Sequence, residues 1–298
     1  MTLSRRRFVT LPLATLALPA AFAQPVSESA RITRAIPSTG ERLPAVGLGT
    51  AVVFERDDAE TRQRAAEVLQ ALVAGGGRLV DTASTYRDAE TVLGSVFAST
   101  RLRDRLFVTT KVEAPDINEF KRSLERLGVA SVDLLQLHNV RDSHQSLARF
   151  RDWKAQGLCR YIGITSTFHR DFAALEAVLK NEKPDFVQID YSIDNRTAEE
   201  RILPLAADVR AAVLTALPFG RARLFGTVRG KPVPDWANDF AASWAQFFLK
   251  FLLADERVTA VIPGTSNAEH MADNLGAMRG RLPNPDERKR MAAFVAAL

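Results

Sequence analysis

Eight short apolar runs, separated by stretches with helical periodicity, follow one another from residue 45 to residue 265. They are AVGLG (45–49), LVDT (79–82), LFVTTKV (106–112), VDLLQLH (132–138), YIGITS (161–166), FVQIDYS (186–192), AVLTALPF (212–219) and VTAVIPGT (258–265). This alternation is typical of repeated βα units, in which parallel strands are covered by helices. Eight such units in about 250 residues predict a closed (β/α)8 barrel, the TIM-barrel class of α/β fold.

An open, doubly wound sheet is the alternative architecture for such a chain. Its first strand would lead into a glycine-rich turn, but GLGTAVVFERDDAE (47–60) lacks the G-x-G-x-x-G spacing. The barrel is therefore favoured. Among the stretches between the strands, residues 198–209 and 239–254 are each predicted as one continuous helix.

Two additions to the barrel are predicted. RITRAIPSTGERLPA (31–45) has the character of a hairpin that turns at residues 38–40 and plugs the bottom of the barrel. DERKRMAAFVAAL (286–298) predicts an extra C-terminal helix. No linker is apparent within residues 24–298, so this region is predicted to be a single domain.

Composition narrows the function classes. The 298 residues are 46% hydrophobic and 25% charged, as in ordinary globular proteins. One cysteine and four histidines without zinc-ligand spacing give no reason to expect a metal site. The net charge is +5, but the region from Gln24 onward holds 37 basic and 35 acidic residues. Such a balance does not predict a nucleic-acid partner.

The N-terminal stretch SRRRFVTLPLATLALPAAFAQ (4–24) has the three parts of an export signal: a basic region, an apolar segment and a small-x-small cleavage site. Residues 1–23 are therefore predicted to be cleaved. The apolar segment, residues 11–21, is too short for a stable membrane anchor. Residues 4–9 resemble a twin-arginine signal, so the twin-arginine export machinery is an expected partner and the periplasm the expected location. The alternative is a basic tail on a protein that stays in the cytoplasm.

Four chemically complementary side chains follow three successive predicted strands. Asp81 ends one strand and Tyr86 lies in the loop after it, while Lys111 and His138 end the next two strands. In a (β/α)8 barrel the active site lies at the C-terminal ends of the strands, so these groups share one rim. Each alone could be structural, since a terminal lysine often extends to water and a lone histidine often packs in a core.

Together the four groups suit carbonyl reduction. An ammonium near a phenol stabilises the phenolate and so makes the phenol a better proton donor. Lys111 can supply that charge, and Asp81 can keep a partly buried lysine charged. His138 can donate a hydrogen bond to the substrate oxygen. Tyr86 is then the general acid.

The chain resembles the aldo-keto reductase family over residues 30–298. The motifs that carry the resemblance are LVDTASTYRDAETVLG, VTTK, DLLQLH, GLCRYIGITS, VQIDYS and IPGTSNAEHMADN, in the family's order and spacing. The resemblance implies reduction of an aldehyde or ketone by NADPH, with NADH as an alternative, and a nicotinamide nucleotide extended across the rim. It also implies that the catalytic tetrad is Asp81, Tyr86, Lys111 and His138.

The resemblance further assigns residues to the cofactor. Those for the nicotinamide carboxamide are Thr165, Ser166 and Gln188. Those in the pyrophosphate-binding loop PFGRARLF are Gly220 and Arg221. Those in the last strand and the helix after it are Gly264, Thr265, His270 and Asn274. Gly264 and Thr265 lie near a predicted helix N-terminus, and helix N-termini attract anions.

Three positions depart from the family pattern. Ala216 stands where many members have an aromatic residue that stacks on the nicotinamide, and Phe219 is a candidate replacement. Gly264 stands where a lysine is common, and His270 where an arginine is common. Both changes reduce the positive charge available to the 2′-phosphate of NADPH, so only a modest preference over NADH is expected.

Two other functions remain open at this point. One is a nucleotide-binding sensor or regulatory subunit that keeps the barrel and turns over little. The other is a Schiff-base aldolase that uses Lys111, which is less favoured because Tyr86 and His138 already account for a reductase.

Overall fold

Eight parallel strands in sequential order form the centre of the protein, and an antiparallel hairpin precedes them. The computed structural model describes residues 31–298. The hairpin strands are β1 (Thr33–Ala35) and β2 (Arg42–Pro44). The barrel strands are β3 (Leu48–Gly49), β4 (Leu79–Asp81), β5 (Phe107–Val112), β6 (Val132–His138), β7 (Cys159–Ser166), β8 (Phe186–Asp190), β9 (Ala212–Ala216) and β10 (Ala260–Val261).

The two edges of the eight-stranded sheet meet, so the sheet is closed. Val46 bridges Val261 and Gly49 bridges Gly264, both in the parallel sense. The amide of Gly47 donates to the carbonyl of Val261 at 2.9 Å. Closure confirms the predicted barrel and rules out an open doubly wound sheet, whose edges would stay apart.

Eleven α-helices occur within residues 31–298, and most of them follow a strand as predicted. They are α1 (Ala59–Ala74), α2 (Ala89–Thr100), α3 (Ile117–Leu127), α4 (Ser143–Ala155), α5 (Phe172–Glu182), α6 (Thr197–Glu200), α7 (Ile202–Asp208), α8 (Arg223–Thr227), α9 (Trp244–Leu253), α10 (Ala268–Gly276) and α11 (Pro285–Ala296). The short helix α8 lies where no helix was predicted.

Two predicted helices differ from the structure. The segment 198–209 is broken between α6 and α7. Pro204 has no N–H to bond the carbonyl of Glu200, and its ring would clash there, so one helix cannot run through. The segment 239–254 becomes helical only after Ser243, which is extended and whose hydroxyl accepts from the amide of Gln246 at 3.1 Å. A serine N-cap of this kind sets the start of α9.

The hairpin closes the amino-terminal end of the barrel, as predicted. It turns at Gly40, whose φ of +80° suits a residue without a side chain. Ile36 and Leu43 are completely buried. They pack against inward-facing side chains near the strand starts, including Leu79, Phe107, Leu134, Tyr161 and Phe186. The interior of the barrel is therefore accessible from the opposite rim.

The extra C-terminal helix is also confirmed. Asn284 and Glu287 form a capping box at the start of α11, and Met291 and Val295 are buried on its inner face. Among the helices of residues 31–298, none combines the length and apolar character needed to cross a membrane.

Candidate active site

The structure brings the four predicted catalytic residues together at the open rim. Asp81 is the last residue of β4 and His138 the last residue of β6, while Lys111 lies near the end of β5 between them. Tyr86 lies in the loop that follows β4. Because these strands are neighbours in the sheet, their C-terminal ends deliver all four groups to one place.

Lys111 is the centre of this group. Its Nζ donates to Asp81 Oδ2 at 2.6 Å, to the Thr82 carbonyl at 2.8 Å and to the Tyr86 hydroxyl at 3.4 Å. Burial is the largest influence on Lys111 and lowers its pKa, but the charges and hydrogen bonds of Asp81 and Tyr86 together outweigh burial and raise the pKa. A charged ammonium therefore faces the phenol oxygen.

Asp81 is held by more than the lysine. Burial raises the pKa of Asp81, while the Lys111 charge and the amides of Gln188 and Gln136, each 3.3 Å away, act to lower it. Burial prevails, so the pKa of Asp81 is raised, as is that of Lys111; a raised pKa favours the neutral form of Asp81 but the charged form of Lys111. We take the pair as ionised at neutral pH, because a 2.6 Å contact with an ammonium favours the carboxylate.

Gln136 is a residue that the sequence reasoning missed. Its Nε2 also contacts Gln188 Oε1 at 2.8 Å and Thr109 Oγ1 at 3.0 Å. The side chain is buried in the barrel interior, two residues before His138 on β6. An amide inside the apolar run LLQLH was a usable signal, because residues two apart on a strand face the same side.

His138 lies beside the phenol. Its ring meets the ring of Tyr86 edge-on, with centroids 5.7 Å apart and planes at 82°. Burial, together with the Lys111 charge, lowers the pKa of His138 to about 4. The imidazole is therefore neutral at neutral pH and carries a proton on one ring nitrogen.

Two further residues contact this imidazole, and neither was predicted. Glu113 Oε1 lies 2.7 Å from His138 Nδ1, and Thr85 Oγ1 lies 3.2 Å from the same nitrogen. Glu113 follows β5 directly, so the conformation of the loop after β5 decides whether its side chain reaches β6. No sequence pattern indicates that direction.

Predicted cofactor residues line a cavity of about 380 Å³ between α9 and α10. The predicted cofactor residues in the cavity wall are Phe219, Gly264, Thr265, His270 and Asn274. The others in its wall, missed from the sequence, are Phe225, Ser243, Trp244, Ala245 and Asp273. The cavity thus has aromatic walls and several polar groups, a combination common in sites for small molecules.

The remaining predicted cofactor residues lie outside this cavity. Thr165 and Ser166 end β7, and the Ser166 hydroxyl donates to Asp171 Oδ2 at 2.9 Å. Gln188 bonds to the Asp81 network described above. Gly220 and Arg221 both have positive φ, +56° and +55°, in the tight turn before α8.

Phe219 does not stand alone at the end of β9. Its ring packs against Phe225 at 4.8 Å and Phe248 at 6.4 Å. Ala216, three residues earlier, is buried. The ring of Phe219 therefore belongs to an aromatic cluster on the wall of the cavity.

A family model described as the Aldo/keto reductase family matches residues 45–294. The chain belongs to the aldo/keto reductase family. It is thus an oxidoreductase.

Relatives with sequence similarity to this reductase include methylglyoxal reductase YeaE of Escherichia coli. It is 28% identical over 256 residues, which cover 82% of this chain and 88% of the relative. An aldo-keto reductase of Mycolicibacterium paratuberculosis is 30% identical over 244 residues, which cover 78% and 80% of the two chains.

Among solved structures, an aldo-keto reductase from Klebsiella pneumoniae in complex with NADPH superposes with a TM-score of 0.75 at 25% identity. The match covers 89% of this chain and 95% of that one. The thermostable aldo-keto reductase Tm1743, solved with the inhibitor epalrestat, superposes with a TM-score of 0.73 at 26% identity and covers 88% and 99% of the two chains. The chain therefore has the (β/α)8 barrel fold of these reductases.

Proposed function

We propose that this aldo/keto reductase reduces a small aldehyde or ketone to an alcohol, with Tyr86 as the general acid. The observation that carries the proposal is the position of the Tyr86 hydroxyl, 3.4 Å from the buried ammonium of Lys111. An ammonium at this distance stabilises the phenolate that remains when the phenol gives up its proton. Such general-acid catalysis contributes about 10²- to 10⁴-fold to the rate.

Each residue of the tetrad has its own part in the reaction. Tyr86 transfers the phenol proton to the carbonyl oxygen, and Lys111 stabilises the phenolate. Asp81 keeps Lys111 charged and in place through the 2.6 Å contact. His138, neutral at this site, donates a hydrogen bond that orients the carbonyl. NADPH, when bound, would supply the hydride.

The residues of the structure fit a nicotinamide nucleotide. The cavity between α9 and α10 is lined by Thr265, His270 and Asn274 together with the aromatic side chain of Trp244. Buried hydroxyls without a partner among the described residues also occur at the strand ends, on Thr50 and Thr82. Unpaired buried groups of this kind are costly unless a ligand engages them.

We assign the cofactor contacts as follows. Gly264, Thr265, His270 and Asn274 would hold the adenosine and its 2′-phosphate, and Gly220 and Arg221 the pyrophosphate. Thr165, Ser166 and Gln188 would hold the carboxamide. The NADPH complex of the related Klebsiella pneumoniae structure supports NADPH as the cofactor.

Tryptophan fluorescence provides the test, because Trp244 lines the cavity. Titration with NADPH should change the emission of the protein, and the Trp244→Phe variant should lose most of that change. A panel of aldehydes should then be reduced with oxidation of the cofactor. Binding without turnover would favour the nucleotide-binding sensor, and absence of binding would contradict both functions.

A Schiff-base aldolase agrees poorly with the geometry. Formation of a Schiff base needs a neutral amine, whereas Lys111 is held as an ammonium by three hydrogen bonds. Borohydride should therefore trap no adduct at Lys111 in the presence of a carbonyl compound.

We also propose that the protein is exported. The supporting features are the basic region, apolar segment and cleavage triplet of residues 1–23, which lie outside the described residues. The proposed partner is the twin-arginine machinery, and the proposed location is the periplasm, with the cytoplasm as the location if the signal is not processed. Since that route carries folded proteins, the nucleotide could travel as a bound group.

A further inference from the structure

The two ring nitrogens of His138 have different surroundings. Nδ1 lies 2.7 Å from Glu113 Oε1 and 3.2 Å from Thr85 Oγ1. Across residues 31–298, no hydrogen bond engages Nε2. Nε2 is therefore the nitrogen left for a substrate oxygen, and Nδ1 is the nitrogen that the protein controls.

A neutral imidazole carries one proton, so the partner at Nδ1 decides what Nε2 can do. If Glu113 is a carboxylate, it accepts a hydrogen bond from Nδ1–H, and Nε2 is left as an acceptor. If Glu113 is protonated, its hydroxyl donates to Nδ1, and the ring proton resides on Nε2. Thr85 can follow either state, because a hydroxyl both donates and accepts.

Glu113 lies among groups that affect its ionisation. Burial raises the pKa of Glu113, the charge of Arg141 in the loop after β6 lowers it, and the charge of Glu119 on α3 raises it. Glu119 Oε1 also accepts a hydrogen bond from the Glu113 amide at 3.1 Å. The net effect raises the pKa of Glu113 above the ordinary carboxyl value.

Two other titratable groups face the His138 ring. Lys111, on β5, acts with burial to keep the imidazole neutral, and Tyr86, in the loop after β4, meets its edge. Both belong to the proposed reaction itself. Glu113 is not a member of the tetrad, and it reaches the tetrad through its contact with His138.

We propose that Glu113 is a positioning residue that selects the tautomer of His138, and that reduction is favoured when Glu113 is protonated. As Glu113 loses its proton to solvent, the ring proton moves through solvent from Nε2 to Nδ1. Nε2 then becomes an acceptor and can no longer donate to a carbonyl oxygen. The kinetic part of this inference rests on the proposed carbonyl reduction, whereas the tautomer can be observed without it.

Nitrogen NMR of the protein labelled in histidine tests the tautomer directly. The His138 signals should show Nε2–H at pH 5 and Nδ1–H at pH 8, and the Glu113→Gln variant should show Nε2–H at both, because a glutamine amide can donate to Nδ1 at any pH. The same tautomer at both pH values in the wild type would overturn the proposal. So would a Glu113→Gln variant whose tautomer still changes with pH.

Kinetics supply the second readout. In the wild type, kcat/KM for an aldehyde should fall as pH rises through the ionisation of Glu113, by about tenfold, the scale of one charge-assisted hydrogen bond. Glu113→Gln should abolish that fall, while Glu113→Asp should retain a fall.

Glu55 offers a matched control. It is another half-buried carboxylate in a loop at the rim, paired with Arg87 at 3.3 Å and not with the tetrad. Glu55→Gln should leave the wild-type pH profile unchanged. If Glu55→Gln and Glu113→Gln alter the profile alike, the effect is one of general charge and the proposal fails. If no carbonyl is reduced by the wild type, the proposed function fails and the NMR result still decides the tautomer.

Discussion

The ammonium of Lys111 and the carboxylate of Asp81 lie 2.6 Å apart, and both side chains are almost completely excluded from water. Lys154 and Asp185 also lie 2.6 Å apart, but the Lys154 side chain is 39% exposed. Equal distances with unequal burial allow the energetic effect of burial to be isolated. A buried charge that loses its partner is far more costly than an exposed one.

The first prediction follows from this contrast. Lys111→Met should lower the free energy of unfolding by about 3–5 kcal/mol, because it leaves the Asp81 charge buried and unpaired. Lys154→Met should cost about 1 kcal/mol or less. Urea denaturation measures both. Combining Lys111→Met with Asp81→Asn should recover part of the loss, and a double variant no more stable than Lys111→Met would contradict the explanation.

The second prediction concerns the proton donor. Tyr86→Phe should lower kcat by about a hundredfold while the Kd for NADPH stays within a few-fold, because the phenol donates a proton and does not bind the nucleotide. Tyr161→Phe is the control, since its hydroxyl bonds Glu41 at 2.8 Å at the closed end of the barrel. Steady-state turnover and fluorescence titration separate the two effects. Unchanged turnover in Tyr86→Phe would refute the role of Tyr86.

The third prediction concerns cofactor choice. NADPH should bind more tightly than NADH by about ten- to a hundredfold, the contribution of one or two charge-assisted bonds. His270→Ala should lower that preference, because His270 lines the cavity assigned to the 2′-phosphate. His144→Ala, on the distant α4, should not.

A large preference that His270→Ala leaves unchanged would point to an arginine instead of His270. Arg221 is then the stronger candidate, because Arg223 is already engaged with Asp194 at 2.6 Å. Dissociation constants of the wild type and the His270→Ala variant for both nucleotides decide between these outcomes.

The fourth prediction concerns a buried lysine outside the active site. Lys250, on α9, donates to the carbonyl of Arg281 at 2.9 Å, and burial together with the charge of Arg281 lowers the pKa of Lys250 to about 8. Between pH 8 and 10.5 the unfolded chain binds this proton and the folded one does not, so the lysine's contribution to stability rises with pH.

The stability of the wild type relative to Lys250→Met should therefore increase across that interval, by on the order of 3 kcal/mol. Denaturation curves of the two proteins at pH 8 and pH 10.5 give this difference. A difference that is constant with pH would show that Lys250 keeps an ordinary affinity for its proton.

The fifth prediction concerns export. Replacing Arg5 and Arg6 by lysine keeps the charge and the apolar segment but removes the guanidinium pair of a twin-arginine signal. The variant should accumulate, folded and uncleaved, in the cytoplasm of its host. Cleavage near Ala23 in the variant would favour the general secretory route, and no cleavage in the wild type would favour a cytoplasmic protein.

Regular patterns in the sequence predicted most of the fold. The strand VDLLQLH was predicted over the residues that form β6, because a continuous apolar run between turns has few other interpretations. The break before α7 could also have been predicted, because Pro204 lies inside the segment that was predicted as one helix. The start of α9 was harder to predict, because Ser243 is one of several small residues in that stretch.

The candidate site was predictable only in part, for a different reason. Residues at the ends of neighbouring strands share a rim by construction, which is why Asp81 and Lys111 could be paired from the sequence. The contact of Glu113 with His138 depends on a loop conformation, and the wall formed by Trp244 depends on how α9 lies against α10. Neither arrangement can be predicted from the periodicity of apolar residues along the sequence.

The barrel closes where the chain around β3 pairs with the chain around β10, and this pairing affects the timing of folding. Val46 and Val261 meet there, so nearly the whole described chain must be synthesised before the ring can shut. Pairing between such distant residues is slow, and until it occurs the edges of β3 and β10 are open to other chains. A route that transports folded protein must therefore hold its cargo until translation has ended, whereas a route that threads unfolded chains would postpone ring closure to the far side of the membrane.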